Sequence, residues 1–350
     1  MRILIYGAGA VGCYIGGHLA LAGHEVTLLG REPLVQAVAE EGLTLQCAEG
    51  PLTIRSIHAA SDLNEALNKG APYDWIAFTM KAYDTSAAIQ ELAERLPEPP
   101  PIVSFQNGVG NEEMLRSAFG AEKIVAGALT TPVAVLTPGR VAELRRRGIA
   151  IASDSPSADV VETALRQTTL ALQVVGDSRT LKWSKLLLNM VGNAVPAIMD
   201  MSPTEVFSNP RLFAVEWAAL REALWIMDLQ RIAVINLPGV PARTLAALAR
   251  RAPRGLLRLL LRRQVSRGRG EKLPSLLTAL RAGLRRTEVA WLNGAVAQAA
   301  DGLKRLAPVN HALALIVSDI AAGRAPWETY RRNPEMLLTA VHMVQGMVSL

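Results

Sequence analysis

Residues 2–31 constrain this chain more than any other stretch, because they read strand, glycine turn, helix, strand in that order. Arg2-Ile3-Leu4-Ile5-Tyr6 is a short apolar run, Ala10 to about Ala22 has helical character, and Glu25-Val26-Thr27-Leu28-Leu29 is a second strand. Between the first two lies Gly7-Ala8-Gly9-Ala10-Val11-Gly12. A GxGxxG pattern is weak alone and informative in this setting. Gly7 permits the tight turn, Gly9 lets backbone approach a pyrophosphate on the helix N-terminus, and Gly12 allows helix and strand to pack closely. The stretch predicts dinucleotide binding; a glycine-rich turn in some other α/β fold is the alternative.

The residue after the second strand refines the cofactor. An Asp or Glu there would hold the ribose 2′-hydroxyl of NAD. The chain has Gly30-Arg31 instead. An arginine can pair bidentately with a 2′-phosphate, which favours NADPH/NADP. An ordinary surface arginine, with Glu32 beside it, is the competing reading.

Further along, strand-like and helical segments alternate to about Val175, which implies a mainly parallel sheet. Gly42–Cys47 and Pro51–Ile57 read as a hairpin, and Asp74–Met80 and Ile102–Phe105 as buried strands. From Ser178 the pattern is almost wholly helical: 179–199, 210–235, 242–262, 273–298, 309–322 and 333–348. At 350 residues two domains are expected. The fold class is therefore α/β: a Rossmann-type domain over 1–177, then an all-α substrate and catalytic domain over 178–350. Ligands of such sheets bind at the carboxyl ends of the strands, so Thr79-Met80-Lys81 and Phe105-Gln106-Asn107-Gly108 point to the cofactor crevice.

Several classes are excluded. The two cysteines, Cys13 and Cys47, cannot build a disulfide framework and read as packing residues. Histidines 18, 24, 58, 311 and 342 are dispersed with no metal-ligand spacing, so no metal site is expected. Six glycines between positions 7 and 23 break the first apolar run, which argues against a targeting segment, and no run of about 18 apolar residues predicts a membrane span. The expected compartment is the cytoplasm. The net charge of +6 is uneven: residues 243–286 hold 12 Arg and one Lys against Glu271 alone. That stretch reads as a solvated helix face. A membrane-surface helix is the alternative, and the lack of aromatics there argues against nucleic acid.

A reductase also needs an acid that protonates the substrate oxygen as hydride arrives. Only 7 of the 37 basic residues are lysines, which makes each informative. Lys185, Asn189 and Asn193 are spaced i, i+4, i+8, placing an ammonium and two amides on one stripe of an apolar helix. Buried amides need satisfaction, and a polar ligand would give it; an exposed polar face is the bland alternative. Glu288 sits in a second largely apolar helix, where it would hold the lysine or a substrate hydroxyl, or pair with Arg281 or Arg285.

In family order, Gly7–Gly12, Arg31, Met80-Lys81-Ala82, Gln106-Asn107-Gly108-Val109-Gly110, Lys185–Asn193, Arg286-Thr287-Glu288 and Leu292-Asn293-Gly294 resemble the motifs of the ketopantoate reductase (2-dehydropantoate 2-reductase) family. The resemblance implies reduction of 2-dehydropantoate to (R)-pantoate, a step toward pantothenate and coenzyme A. It implies that Gly7 to Gly12 (including Ala8, Ala10 and Val11) bind the NADPH pyrophosphate and Arg31 the 2′-phosphate. Lys81 and Asn107 would line the nicotinamide side. Lys185 would donate the proton, Asn107, Asn189, Asn193 and Ser275 would hold substrate, and Glu288 would contact the substrate hydroxyl or cofactor. Homodimerisation is compatible with it. Three departures stand out. Met201-Ser202-Pro203-Thr204 replaces a further substrate Asn, Leu276 occupies the place of a family Ser with Ser275 one position off, and 243–272 reads as an insertion. A reductase of another 2-oxo acid and a catalytically silent NADP-binding sensor are the other readings.

Overall fold

A computed structural model describes residues 1–268 and 273–348, with side chains for 1–263 and 273–344. The chain divides into two compact units. One comprises Met1–Gln106, Gly110–Lys182 and Asn236–Val240; the other comprises Asn107–Val109, Trp183–Ile235 and Pro241–Leu350.

The first unit carries strands β1 (Arg2–Tyr6), β2 (Glu25–Leu29), β3 (Leu43–Cys47), β4 (Gly50–Ile54), β5 (His58–Ala60), β6 (Trp75–Phe78), β7 (Ile102–Ser104), β8 (Ile124–Leu129), β9 (Val133–Thr137), β10 (Arg140–Glu143), β11 (Ile149–Ala152) and β12 (Leu172–Val175). Its helices are α1 (Ala10–Leu21), α2 (Glu32–Glu41), α3 (Leu63–Gly70), α4 (Thr85–Arg95), α5 (Asn111–Phe119) and α6 (Ala158–Arg166). Eight strands form one sheet in the order β12-β11-β8-β7-β6-β1-β2-β5. All its pairings are parallel except β8 with β11. Strand β1 shows why these apolar runs become strands: Ile3 and Ile5 enter the core on one face, Leu4 and Tyr6 the core on the other. A strand buried on both faces reads as a continuous apolar run.

A second sheet, β4-β3-β10-β9, packs against α1. The β3–β4 hairpin matches the sequence expectation. Strand β10 does not appear in the sequence reading, because Arg140-Val-Ala-Glu is too short to show a period; the Pro138-Gly139 turn before it, with Gly139 at φ 74°, is its one local signal.

Helix α7 (Ser178–Met190) begins in the first unit and continues in the second. The second unit adds α8 (Ala194–Met199), α9 (Pro203–Ser208), α10 (Pro210–Leu229), α11 (Ala242–Arg251), α12 (Arg254–Gly268), α13 (Ser275–Arg281), α14 (Asn293–Gly302), α15 (Pro308–Ala322) and α16 (Pro334–Val348). They surround a core that includes Leu186, Ile198, Phe207, Phe213, Leu220 and Leu313. Two long helices of the sequence reading are broken. The 179–199 helix stops at Met190, because Gly192 turns left-handed at φ 61° and Pro196 belongs in a first turn, where its missing N–H costs nothing. The 273–298 helix gives way at Gly283 (φ 66°), and Glu288–Trp291 is a single 3₁₀ turn. Glu288 is therefore not on a long helix.

The basic stretch 243–286 spans α11 to α13, with 269–272 outside the described residues. On α12, Leu257 and Leu261 are buried, while Leu256, Leu259 and Leu260 stand exposed among Arg254, Arg258, Arg262 and Arg263. No helix of the described residues is long and apolar enough to cross a membrane.

Candidate active site

In the first unit, parallel pairing of β2, β1, β6 and β7 brings four strand ends to one edge. The turn Gly7–Gly12 follows β1, Gly30-Arg31 follows β2, Thr79-Met80-Lys81 follows β6 and Phe105-Gln106 follows β7. The turn is locked to the β6 end: Thr79 Oγ1 donates to the Gly7 carbonyl at 2.8 Å. A Cβ on Gly7 would lie 2.4 Å from the Met80 nitrogen, and Gly7 holds φ 98°, so any side chain is excluded twice. One on Gly12 would lie 2.6 Å from Thr79 Oγ1.

The free space lies at Gly9, where a Cβ would meet nothing within 4 Å. Gly9 caps α1 without a side-chain hydrogen bond, and the first turn of α1 carries no acidic residue. The first intrahelical bond runs from the Cys13 amide to the Gly9 carbonyl at 2.9 Å, so the amides of Ala10, Val11 and Gly12 precede it. An open, uncapped, carboxylate-free helix start fits a pyrophosphate. Arg31 is exposed at the N-cap of α2, next to Gly30. Its neighbour Glu32 accepts a bond from Gln36 at 3.5 Å along the same helix. Lys81 is exposed directly after Met80.

Lys182 joins the site only in the folded structure. It is 4% exposed and Glu112 is 2% exposed. The Lys182 ammonium lies 2.8 Å from Glu112 Oε1 and donates to the Gln106 carbonyl at 2.6 Å and the Gly127 carbonyl at 3.3 Å. Gln106 in turn donates to the Met80 carbonyl at 3.2 Å and to Thr85 Oγ1 at 2.7 Å. This buried cation thus fixes the loop after β7 against the loop after β6. Its one sequence signal is spacing: Lys182 and Lys185 are i, i+3 on one helix.

In the second unit most of the expected substrate residues come together. Asn189, on α7 one turn past the half-buried Lys185, donates to Asn107 Oδ1 at 3.1 Å. Asn193 has left the helix, yet it stays on the stripe by donating to the Asn189 carbonyl at 3.0 Å. Its amide also reaches Ser275 Oγ at 3.5 Å, and its Oδ1 accepts the Leu276 amide at 3.2 Å. Leu276 itself is buried in the core, so the exposed Ser275 is the hydroxyl beside Asn193. The Asn107 segment is pinned to the 3₁₀ turn of Glu288: Val109 donates to the Trp291 carbonyl at 3.0 Å. A Cβ on Gly108, at φ 88°, would lie 2.5 Å from that carbonyl oxygen. Glu288 is buried. Arg281 does not serve it; its guanidinium pairs with Asp200 at 2.7 Å.

Two family models match the chain in sequence order. Residues 3–155 match "Ketopantoate reductase PanE/ApbA" and residues 177–321 match its C-terminal domain. The chain belongs to the ketopantoate reductase family. It is thereby an oxidoreductase of the ketopantoate reductase type. A 2-dehydropantoate 2-reductase of Pyrococcus horikoshii is 31% identical over 227 residues, covering 63% of this chain and 72% of the relative. A crystal structure of a PanE/ApbA family ketopantoate reductase from Ralstonia eutropha superposes with a TM-score of 0.76 at 26% identity, over 93% of this chain and 99% of that one. D-mandelate dehydrogenase, in a ternary structure with NADH and anilino(oxo)acetate, shares the fold at a TM-score of 0.75 and 18% identity, over 92% and 99% of the two chains.

Proposed function

We propose that this protein reduces 2-dehydropantoate to (R)-pantoate with NADPH, a step toward pantothenate and coenzyme A. The observation that carries this reading is the polar ladder Asn107–Asn189–Asn193–Ser275, one turn beyond Lys185, in an otherwise apolar helical unit. A nicotinamide cofactor, when bound, supplies the hydride. The chain supplies the rest. The amides of the Gly7–Gly12 turn hold the pyrophosphate and Arg31 the 2′-phosphate. Lys81 and Asn107 line the nicotinamide side. Lys185 donates its proton to the C2 oxygen as charge builds there, and its ammonium stabilises that charge beforehand. Asn189, Asn193 and Ser275 hold the substrate, and Glu288 takes the substrate hydroxyl or steadies the lysine. Two buried free cysteines fit a reducing compartment such as the cytoplasm.

A second 2-oxo acid remains the alternative on one observation. Where the family carries a further substrate Asn, Ser202 here caps α9 and forms a capping box with Glu205, so its hydroxyl is committed to the backbone. The test is steady-state NADPH oxidation with 2-dehydropantoate against a panel of 2-oxo acids, for the parent and Lys185→Ala. Loss of the general acid lowers kcat by roughly a hundredfold or more, while direct titration still shows NADPH binding. A near-parental kcat in Lys185→Ala removes the mechanism; NADPH binding with no turnover of 2-dehydropantoate removes the substrate.

A further inference from the structure

Outside the candidate active site, the first unit brings together three side chains far apart in sequence: His18 on α1, Cys47 at the end of β3 and Glu143 at the end of β10. One ligand atom of each lies within 4.8 Å of the others. All three are withdrawn from water: His18 is 3% exposed, Cys47 6%, and the Glu143 side chain 1%. His18 Nε2 is buried with no hydrogen-bond partner. Orphaned buried polar atoms are rare, and leaving one costs about 1–3 kcal/mol. We propose that His18, Cys47 and Glu143 form a binding site for a divalent transition metal, with zinc the best match, that ties α1 to the small sheet.

The donor chemistry is one nitrogen, one sulfur and one oxygen, a set that suits Zn²⁺. Tetrahedral coordination at the usual bond lengths needs ligand atoms roughly 3.5 Å apart, so the donors close in from their present spacing of up to 4.8 Å on binding. The surroundings orient the donors as metal sites do. His18 Nδ1 lies 3.2 Å from Thr169 Oγ1. With the Nδ1 proton donated to that hydroxyl, the buried and unpartnered Nε2 keeps its lone pair for a metal. Tyr14, fully buried, donates its hydroxyl to Glu143 Oε2. On binding, Zn²⁺ replaces the Cys47 thiol proton, which leaves to solvent. The thiolate and carboxylate then balance the charge of the ion, and no redox change occurs.

One group opposes a cation here. Arg146 donates from Nε to both Glu143 oxygens, at 3.1 and 3.3 Å, and also hydrogen-bonds Cys47. The same guanidinium, 45% exposed, makes a bidentate pair with Glu49 at 2.9 and 2.8 Å. It can therefore release Glu143 to the metal and keep its charge paired at the surface.

Cobalt(II) is the probe, because thiolate ligation gives a ligand-to-metal charge-transfer band. The chelator-treated full chain is expected to bind one equivalent of cobalt with that band, and zinc to displace it. Cys47→Ser should abolish the band, Cys13→Ser should keep it, and His18→Gln should weaken binding at least tenfold. One equivalent of zinc should also raise the Tm of the parent protein, a readout independent of whether the variants fold. Absence of the band in the parent, its persistence in Cys47→Ser, or an unmoved Tm overturns the assignment.

Discussion

Asn193 Oδ1 accepts the backbone amide of Leu276 at 3.2 Å, so a residue expected to grip substrate also caps a helix 83 positions away. Helix α13 has Pro274 at its N-cap and no side-chain cap of its own. Asn193 supplies that cap from outside and, in doing so, brings Ser275 into hydrogen-bond range.

Asn193→Ala should therefore act on stability and on substrate together. Loss of a cap costs about 1 kcal/mol, and the bond to the Asn189 carbonyl goes with it. Thermal unfolding should show a lowered Tm, and KM for the 2-oxo acid should rise. Ser275→Ala, at an exposed residue with one long contact, should raise KM and leave Tm nearly unchanged. A Tm change in Ser275→Ala as large as that in Asn193→Ala would show Ser275 to be structural.

Lys182→Met should destabilise strongly. It strands Glu112, buried beside it, and removing one partner of a buried pair costs about 3–5 kcal/mol. The double variant Lys182→Met/Glu112→Gln should recover part of that loss, because the uncompensated carboxylate is gone. Denaturant melts of the two variants check this; equal stability would mean that the pair is not coupled.

Arg31→Ala separates the two nicotinamide cofactors. A charge-assisted contact to a 2′-phosphate contributes roughly 1.5–3 kcal/mol, which is about ten- to a hundredfold in affinity. Fluorescence titration should show that loss for NADPH and little change for NADH. Equal losses would remove Arg31 as the selector.

Asp200 makes stability depend on acid. Burial works against its ionisation, but Arg281 and Arg331 outweigh this and hold its carboxyl below the ordinary carboxylate value. A depressed carboxyl contributes stability that is complete above the unfolded value, about 3.9, and is lost as pH falls through the folded value. Asp200→Asn should cost roughly 1–2 kcal/mol at neutral pH, the half-exposed arginines being screened. Below about pH 4 its stability should converge on that of the parent. A gap that stays constant in acid would mean that the charge of Asp200 is not what matters.

Much of the site was legible because the signals are local. The Gly7–Gly12 turn, Arg31 after a strand, and Lys185 and Asn189 one turn apart on α7 each follow from backbone periods of a single element. Lys182 was not legible, since a buried lysine and a surface lysine look alike in sequence. Only Glu112, Gln106 and Gly127, brought in from three other elements, distinguish it. The helix reading of 273–298 failed for a related reason: apolar periodicity continued through Gly283, where the backbone turns left-handed.

By itself the sequence determined the βαβ start, the shift from mixed to helical character near Ser178, and the family, because strand and helix periods and glycine geometry act over a few residues. The tertiary structure alone decided which polar groups meet. It closed the Asn107–Asn189–Asn193–Ser275 ladder and gathered His18, Cys47 and Glu143, which carry no metal-ligand spacing along the chain. Contacts between residues dozens of positions apart depend on how elements pack, and packing has no period that a single sequence displays.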